Sequence, residues 1–486
     1  MRLRALVGIT VSLGVLTGCT GDPDSEPETK PVLTPATVAT EDAQITDADL
    51  GAYEEAASRT REDSYYPHVG DPGVDTLHHN LKLRWNPETH TLTGRDAITF
   101  RATTDADEFQ LDLSPTFKAT KVRIEKQAAE TTHEGKDLVI HHPVTKNEVY
   151  KVVIGYRGKP EPVRAPTRRD DIPGLGFTLT SAGNVWTMQE PYGAYTWYPV
   201  NDQPADKAFY DVAITVPDPL VGVSNGTLTE RTTKNGRTTT KFHNTDPMAS
   251  YLVTLGIGDY THETDETASG TPLNYWVLPE QHDRLARLRV TKQALEWVET
   301  KLGDYPFDSA GVLLTESTSG METQTLITLG DTDYATSPPV LVHELVHQWY
   351  GNLVGPTDWR DLWMNEGMAM YLQAVFEAKH GGPSLRATIE GWRANDSFLR
   401  GDEGPPGAYD PHAFGGSIVY TSPAVMWADL REQIGDDAFW ELVRAWPEVA
   451  PDTATREEYL AWIEATTGEE LTAFFDRWLT GESTPG

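Results

Sequence analysis

His343, Glu344 and His347 stand in the order H-E-x-x-H, and on a helix residues four apart share one face a turn apart. Two imidazoles so placed can reach a single ion. A catalytic zinc takes three protein ligands and keeps a fourth position for water, so a third ligand is required. Glu366 meets that need, nineteen residues after His347 within Asn365-Glu366-Gly367-Met368-Ala369. With fourteen His in the chain, a chance H-E-x-x-H is expected about 0.03 times, and a Glu at one set downstream offset lowers this to about 0.002. The pairs His78-His79 and His141-His142 lie in strand-like segments, where neighbours point to opposite faces, so they are not read as sites.

The chemistry follows from the donor set. One zinc per chain would lower the pKa of a bound water toward about 7, and Glu344 could take its proton during attack on a carbonyl and return it to a leaving amine. Charge then develops on oxygen, which calls for a hydrogen-bond donor opposite the metal. Tyr420, in Ile418-Val419-Tyr420-Thr421-Ser422-Pro423, is a candidate, but it is one tyrosine among nineteen and spacing alone does not single it out.

Two helices must hold these groups. Ser337-Pro338-Pro339 reads as a helix start, with Ser able to cap and proline suited to the first turn. This helix is expected to run to about Gly351. A second is expected from Asn365 to His380, ended by Gly381-Gly382-Pro383, and further helices over residues 424–479. Upstream, Leu285, Leu288, Ala294, Leu295, Val298 and Leu302 recur at helical spacing, followed by a strand-like GVLLTES and a Gly-Met-Glu loop. Residues 77 to about 261 read instead as strands, beginning with a hairpin turned at Asn86-Pro87-Glu88, and predict a mostly antiparallel β-domain.

The chain of 486 residues carries 40 basic and 73 acidic residues, a net charge of −33, which argues against nucleic acid as a partner. Arg2, Arg4, an apolar run over residues 5–16 and the small Thr17 and Gly18 form an export leader too short to span a bilayer. Leu16-Thr17-Gly18-Cys19 resembles the bacterial lipobox, whose Cys is lipidated and becomes the mature N-terminus. Cys19 is the only cysteine, so no intramolecular disulfide can form. Residues 21–49 contain no aromatic residue and read as a disordered tether. The expected division is a lipoprotein-type leader over 1–18, a tether over 19–60, a β-domain over 61–262 and a catalytic domain over 263–486. The expected location is exported, anchored to the outer face of the cell membrane through a lipid on Cys19, or released from it.

Several blocks together resemble the gluzincin aminopeptidases of the alanyl aminopeptidase (aminopeptidase N) type, a family that also includes the leukotriene-epoxide hydrolase. His343-Glu344-Leu345-Val346-His347-Gln348-Trp349-Tyr350-Gly351-Asn352 is similar to its zinc helix and Trp363-Met364-Asn365-Glu366-Gly367-Met368-Ala369 to its third-ligand helix. Tyr305-Pro306-Phe307 and Ser319-Gly320-Met321-Glu322-Thr323 resemble the blocks just upstream, and Glu190 and Tyr198-Pro199-Val200-Asn201-Asp202-Gln203-Pro204 those of the N-terminal half. The resemblance implies an α+β multidomain fold: an antiparallel, saddle-like β-domain, then a thermolysin-like, mainly helical zinc metallopeptidase domain. It implies removal of the N-terminal residue from peptides with a free amino terminus. Glu190 and Glu322 would grip the α-ammonium, Gly320 and Met321 would line the first-residue pocket, and Tyr420 would stabilise the oxyanion. Thr323 stands where the family usually has Asn, and Met188 where it has Gln, with Gln189 adjacent. The long helical C-terminal domain of many members finds no counterpart here, which implies a short form with a more open cleft. A thermolysin-like endopeptidase would share the zinc residues but has no use for an ammonium grip. A non-catalytic peptide-binding lipoprotein would not need Glu344.

Overall fold

Leu81, Leu83 and Trp85 alternate along the strand Val74–Asn86 and turn its apolar face inward. Asn86 Oδ1 accepts from the Glu88 and Thr89 amides at 3.0 and 3.3 Å, and the chain returns antiparallel as Thr91–Ala102. These are the middle strands of a nine-stranded sheet in this computed structural model, which describes residues 51, 53–172 and 174–485. The pairing is mostly antiparallel, as expected, with one parallel ladder at the centre: Val74–Asn86 pairs in parallel with Lys207–Pro217, His78 opposite Phe209. Parallel neighbours need a long crossover, and the hundred or so residues between them supply it. His79 is buried with Nδ1 2.7 Å from Asp96, while His78 Nε2 lies 2.9 Å from Asp211, so both histidines have carboxylate partners and neither faces a metal cluster.

The leader, Cys19 and the tether as far as residue 50 lie outside the described residues. The tether's expected end at residue 60 needs correction. Ala56 is buried, Ser58 N donates to Asp75 Oδ1 at 2.9 Å, Thr60 Oγ1 donates to Pro72 O at 2.9 Å, and Arg59 pairs with Glu458 at 2.6 Å. Tyr53 stacks on His78 with ring centroids 5.0 Å apart. Composition missed this because it carries no information on pairing, whether with Asp75 and Pro72 nearby or with Glu458 far along the chain.

From Thr261 to Gly330 the strands belong to a different, five-stranded sheet, in the order Thr261–Glu266, Pro272–Val277, Ala310–Thr315, Ile327–Gly330, Gly320–Met321. The expected Gly-Met-Glu loop is thus its edge strand, Gly320 opposite Leu329. Helices follow or interleave: α1 (Leu285–Leu288), α2 (Thr291–Leu302), α3 (Pro338–Val346), α4 (Trp363–Lys379), α5 (Leu385–Glu403), α6 (Ser417–Ile434), α7 (Asp436–Val449), α8 (Arg456–Thr467) and α9 (Thr472–Leu479). The chain is therefore β-rich in its N-terminal half and mainly helical in its C-terminal half. Trp363 of α4 packs on Trp427 of α6 and Tyr459 of α8, each with centroids 6.3 Å apart. Truncating such a buried tryptophan to Ala costs about 3–5 kcal/mol, so these rings hold the helix that carries Glu366.

The β-rich half also holds the loop after α3. Lys207 Nζ is buried and donates to the carbonyls of Asn352 and Leu353 at 2.7 and 3.2 Å. Asp63 accepts from the amides of Tyr65, Tyr66 and Trp359, and burial together with neighbouring Asp358 pushes its carboxyl up to about 6. Among the described residues no helix is long and apolar enough to cross a membrane.

Candidate active site

Every residue of α3 from Val340 to Val346 is buried, so this helix sits inside the domain rather than on it. Pro338 and Pro339 fill its first turn, and Ser337 stands at the N-cap without a side-chain capping bond. The helix ends at Val346, short of the expected Gly351, and His347 is its C-cap. The next residues coil tightly: Trp349 N donates to Val346 O at 3.0 Å and Asn352 N to His347 O at 2.9 Å. Gly351 completes the turn at φ +126°, where side chains are strained, and a Cβ there would meet Asn365 at 3.2 Å. This turn brings Tyr350 O within 3.1 Å of His347 Nδ1, which fixes the ring and leaves Nε2 free to bind.

Glu366, in the first turn of α4, faces both rings. Its Oε2 lies 3.1 Å from His343 Nε2 and 3.3 Å from His347 Nε2. One ligand atom from each residue lies within 4.8 Å of the others, the only such cluster of three among the described residues. Two imidazole nitrogens and a carboxylate oxygen converging on one point are a catalytic zinc donor set, and the geometry fits that ion. The electrostatics agree. Burial disfavours a charged His347, yet the carboxylates of Glu366 and Glu322 outweigh it and push its pKa up to about 10. Burial would raise Glu366, but His347 and His343 hold it well below the ordinary carboxylate range. The carboxylates here demand a cation.

Glu344 lines the same cavity. Burial, opposed by His347 and reinforced by Glu322 and Glu366, pushes its carboxyl up to about 8 with the protein's own charges alone. Its Oε1 lies where a Cβ on Gly320 would approach to 2.5 Å, so the edge strand passes directly against the carboxylate.

Glu190 and Glu322 line the cavity as well, one from each half of the chain. Each has a buried Oε1 without a hydrogen-bond partner, and burial raises both carboxyls, Glu190 further because Glu322 is near. The Glu322 carbonyl is pinned by Gln348 Nε2 at 2.9 Å and Asn352 Nδ2 at 2.7 Å. Met188 faces the cavity beside Glu190, whereas Gln189 is committed to the core, donating to Ser250 O and Val253 O at 2.7 and 2.9 Å. Thr323 turns into the sheet, bonding Thr328 Oγ1 at 2.8 Å. Gly320, Met321 and Tyr420 complete the set expected from sequence, and all of it falls in this one cavity. Tyr420 lies in the first turn of α6, its ring 6.0 Å from that of His343 and inclined by 26°. Glu403 caps this helix by accepting from Ile418 N at 2.9 Å.

Sequence reasoning missed Arg169, Asp171, Ser319, Trp186 and Phe414, which also line the cavity. Arg168-Arg169-Asp170-Asp171 reads locally as a solvated charge run. Only the fold carries its second arginine to the metal side of the cleft.

Comparison with known proteins agrees with this geometry. Residues 286–478 match the Peptidase family M1 domain and residues 75–252 the Peptidase M1 N-terminal domain. The chain is 28% identical over 265 residues to glutamyl aminopeptidase of Sus scrofa, covering 51% of this chain and 27% of that protein. It is 27% identical over 260 residues to aminopeptidase N of Canis lupus familiaris, covering 49% and 26%. The match thus spans about a quarter of the length of these curated relatives. Among solved structures, a two-domain M1 zinc metallopeptidase mutant bound to L-arginine superposes with a TM-score of 0.78 at 25% identity, covering 88% of this chain and 99% of that one. A mutant of the M1 zinc metallopeptidase of Deinococcus radiodurans bound to a Tyr-Ser-Ala substrate superposes with a TM-score of 0.77 at 24% identity over the same shares. With both domain types matched in order and the fold shared, this chain belongs to peptidase family M1.

Proposed function

We propose that this chain is a zinc aminopeptidase that removes the first residue from peptides with a free N-terminus. The observation that carries the reading is the pair Glu190 and Glu322, each with an unpartnered buried carboxylate oxygen in the cavity that holds His343, His347, Glu366 and Glu344. Buried carboxylates without a cation are costly, and a substrate ammonium would satisfy both while leaving the first peptide bond nearest the metal ligands. An endopeptidase substrate offers no such charge.

Zinc held by His343, His347 and Glu366 would supply a Lewis acid and an acidified water. Glu344 takes the proton of the attacking water and passes it to the departing amine. Tyr420 donates to the oxygen on which charge develops. Glu190 and Glu322 fix the amino end, which limits attack to one bond. Ile172, Leu175, Trp186, Met188, Met321 and Phe414 give the cavity an apolar side suited to an apolar first residue. The similarity to proteins named aminopeptidase supports the same reaction class.

Residues 1–19 support export and lipidation at Cys19, so the active site would work at the outer face of the cell membrane. Mass spectrometry of the mature N-terminus tests this; an unmodified Met1 would refute it. The activity is tested with amino-acid p-nitroanilides beside their N-acetylated forms, each with and without a zinc chelator. Cleavage confined to free amines and abolished by chelation is the expected result. Cleavage of the blocked compounds would make the enzyme an endopeptidase, and no cleavage by zinc-loaded protein would refute catalysis of either kind.

A further inference from the structure

The segment 166–171 leaves the β-rich half and lies against the loop before α6. Phe414 N donates to Pro166 O at 3.1 Å, Thr167 Oγ1 donates to Phe414 O at 2.6 Å, and Arg168 pairs with Asp410 at 2.6 Å. These contacts deliver Arg169 to the cavity wall beside Tyr420. Arg169 Nε and Nη2 donate to the two oxygens of Asp171 at 3.0 and 2.6 Å. Nη2 also reaches Ser319 Oγ at 3.3 Å, and Nη1 donates to Tyr420 Oη at 3.2 Å and Gly415 O at 3.4 Å.

A guanidinium has five N–H donors in a fixed plane, and five acceptors surround this one. Arg169 therefore has no donor left over for a substrate carboxylate, and its orientation is set by the protein alone. The acceptors differ in what they can do next. A carboxylate or carbonyl ends the chain of hydrogen bonds, whereas a hydroxyl passes one on. Tyr420 Oη accepts from a cation on one side, so its own proton must point elsewhere, and the ring borders the cavity that holds His343 and Glu344.

We propose that Arg169 is a positioning residue for Tyr420: by occupying a lone pair of the phenol oxygen it directs the phenol proton into the cleft, toward the oxygen of the bond being cut. This rests on reading the site as a peptidase. A hydroxyl with no fixed partner would rotate among acceptors and spend part of its time turned away. One with a cation behind it is a preorganised and stronger donor.

The test is a double-mutant cycle of R169Q, Y420F and R169Q/Y420F in the zinc-loaded full chain, with zinc content and melting temperature confirming intact folds. R169Q should lower kcat about 10- to 100-fold with KM changed less than about threefold, since the lost interaction matters mainly in the transition state. In the Y420F background, R169Q should cost less than about threefold more. Affinity for a phosphinic pseudodipeptide, read by calorimetry, should fall in parallel, while affinity for a free amino acid should not. R169K should recover part of the loss and D170N, at an exposed position on the same segment, should stay within about twofold of the parent. Equal R169Q losses in both backgrounds, an effect on KM alone, or a D170N loss as large as that of R169Q would overturn the proposal. If R169Q does not fold, D171A enters the same cycle, because it removes both carboxylate acceptors and so releases two of the five bonds. A parent enzyme that cleaves no peptide would refute the peptidase reading itself, a result separate from any outcome of the cycle.

Discussion

Gly320 and Glu344 are in contact across the cleft: a Cβ on Gly320 would stand 2.5 Å from Glu344 Oε1. The glycine is needed for space rather than for backbone freedom, since it is not among the residues with positive φ. G320A should therefore fold and bind zinc normally but displace the base. A displacement near 1 Å costs about 100-fold, so kcat should fall by that order while melting temperature shifts little. Unchanged kcat in G320A would show that Glu344 does not act from the position it occupies.

E344A and H343A separate the base from the ligand. E344A should keep its metal, measured by elemental analysis, and lose about 100- to 10,000-fold in turnover, the span of general-base contributions. H343A should lose both metal and activity, because two ligands do not hold a catalytic zinc. Near-normal rates in E344A would sink the general-base role.

Glu190 and Glu322 should act on recognition of the amino terminus. Removing one charge with E190Q or E322Q costs about 1.5–3 kcal/mol in a hydrogen bond to a charged group. The expected loss in kcat/KM on free-amine substrates is thus about 10- to 100-fold, with zinc content and melting temperature close to those of the parent. A loss accompanied by an equal fall in folded, zinc-loaded protein would assign the two residues to folding instead.

Lys207 links stability to pH. Burial, only partly opposed by Asp452 and Asp246, lowers its pKa from 10.5 to about 8. Between about pH 8 and 10.5 the unfolded chain holds a proton that the folded chain has released, so stability from this group rises with pH across that window. It is fully present above the unfolded value and lost as pH falls through about 8. At 1.36 kcal/mol per pKa unit the swing is about 3 kcal/mol. The difference in unfolding free energy between the parent and K207M, followed by denaturation at pH 7 and pH 10, should grow by that order in favour of the parent. A pH-independent difference would show that Lys207 titrates as in the unfolded chain.

Much of the site was legible before the fold was known. His343, Glu344 and His347 are local, because helical periodicity alone puts the two rings on one face, and Glu366 is tied to them by a fixed offset. The hairpin at Asn86 and the helix Trp363–Lys379 were legible for the same reason, since period and turn chemistry act over a few residues. Where the sequence reading erred, a distant partner decided: α3 stops at Val346 because its next turn must hold His347 and Glu322, and residues 53–60 are packed because Asp75 and Glu458 meet them.

The amino-acid sequence by itself thus determined the metal donors, the base and the order of a β-rich half before a helical one. Glu190, Tyr420, Gly320 and Met321 could be named only through resemblance, since no spacing rule joins residues 190 and 420 to a helix at 343. Arg169 was not visible at all. Only the tertiary structure decided that a charge run in the β-rich half ends against Tyr420, because side chains from distant segments meet only where the packed fold brings them together.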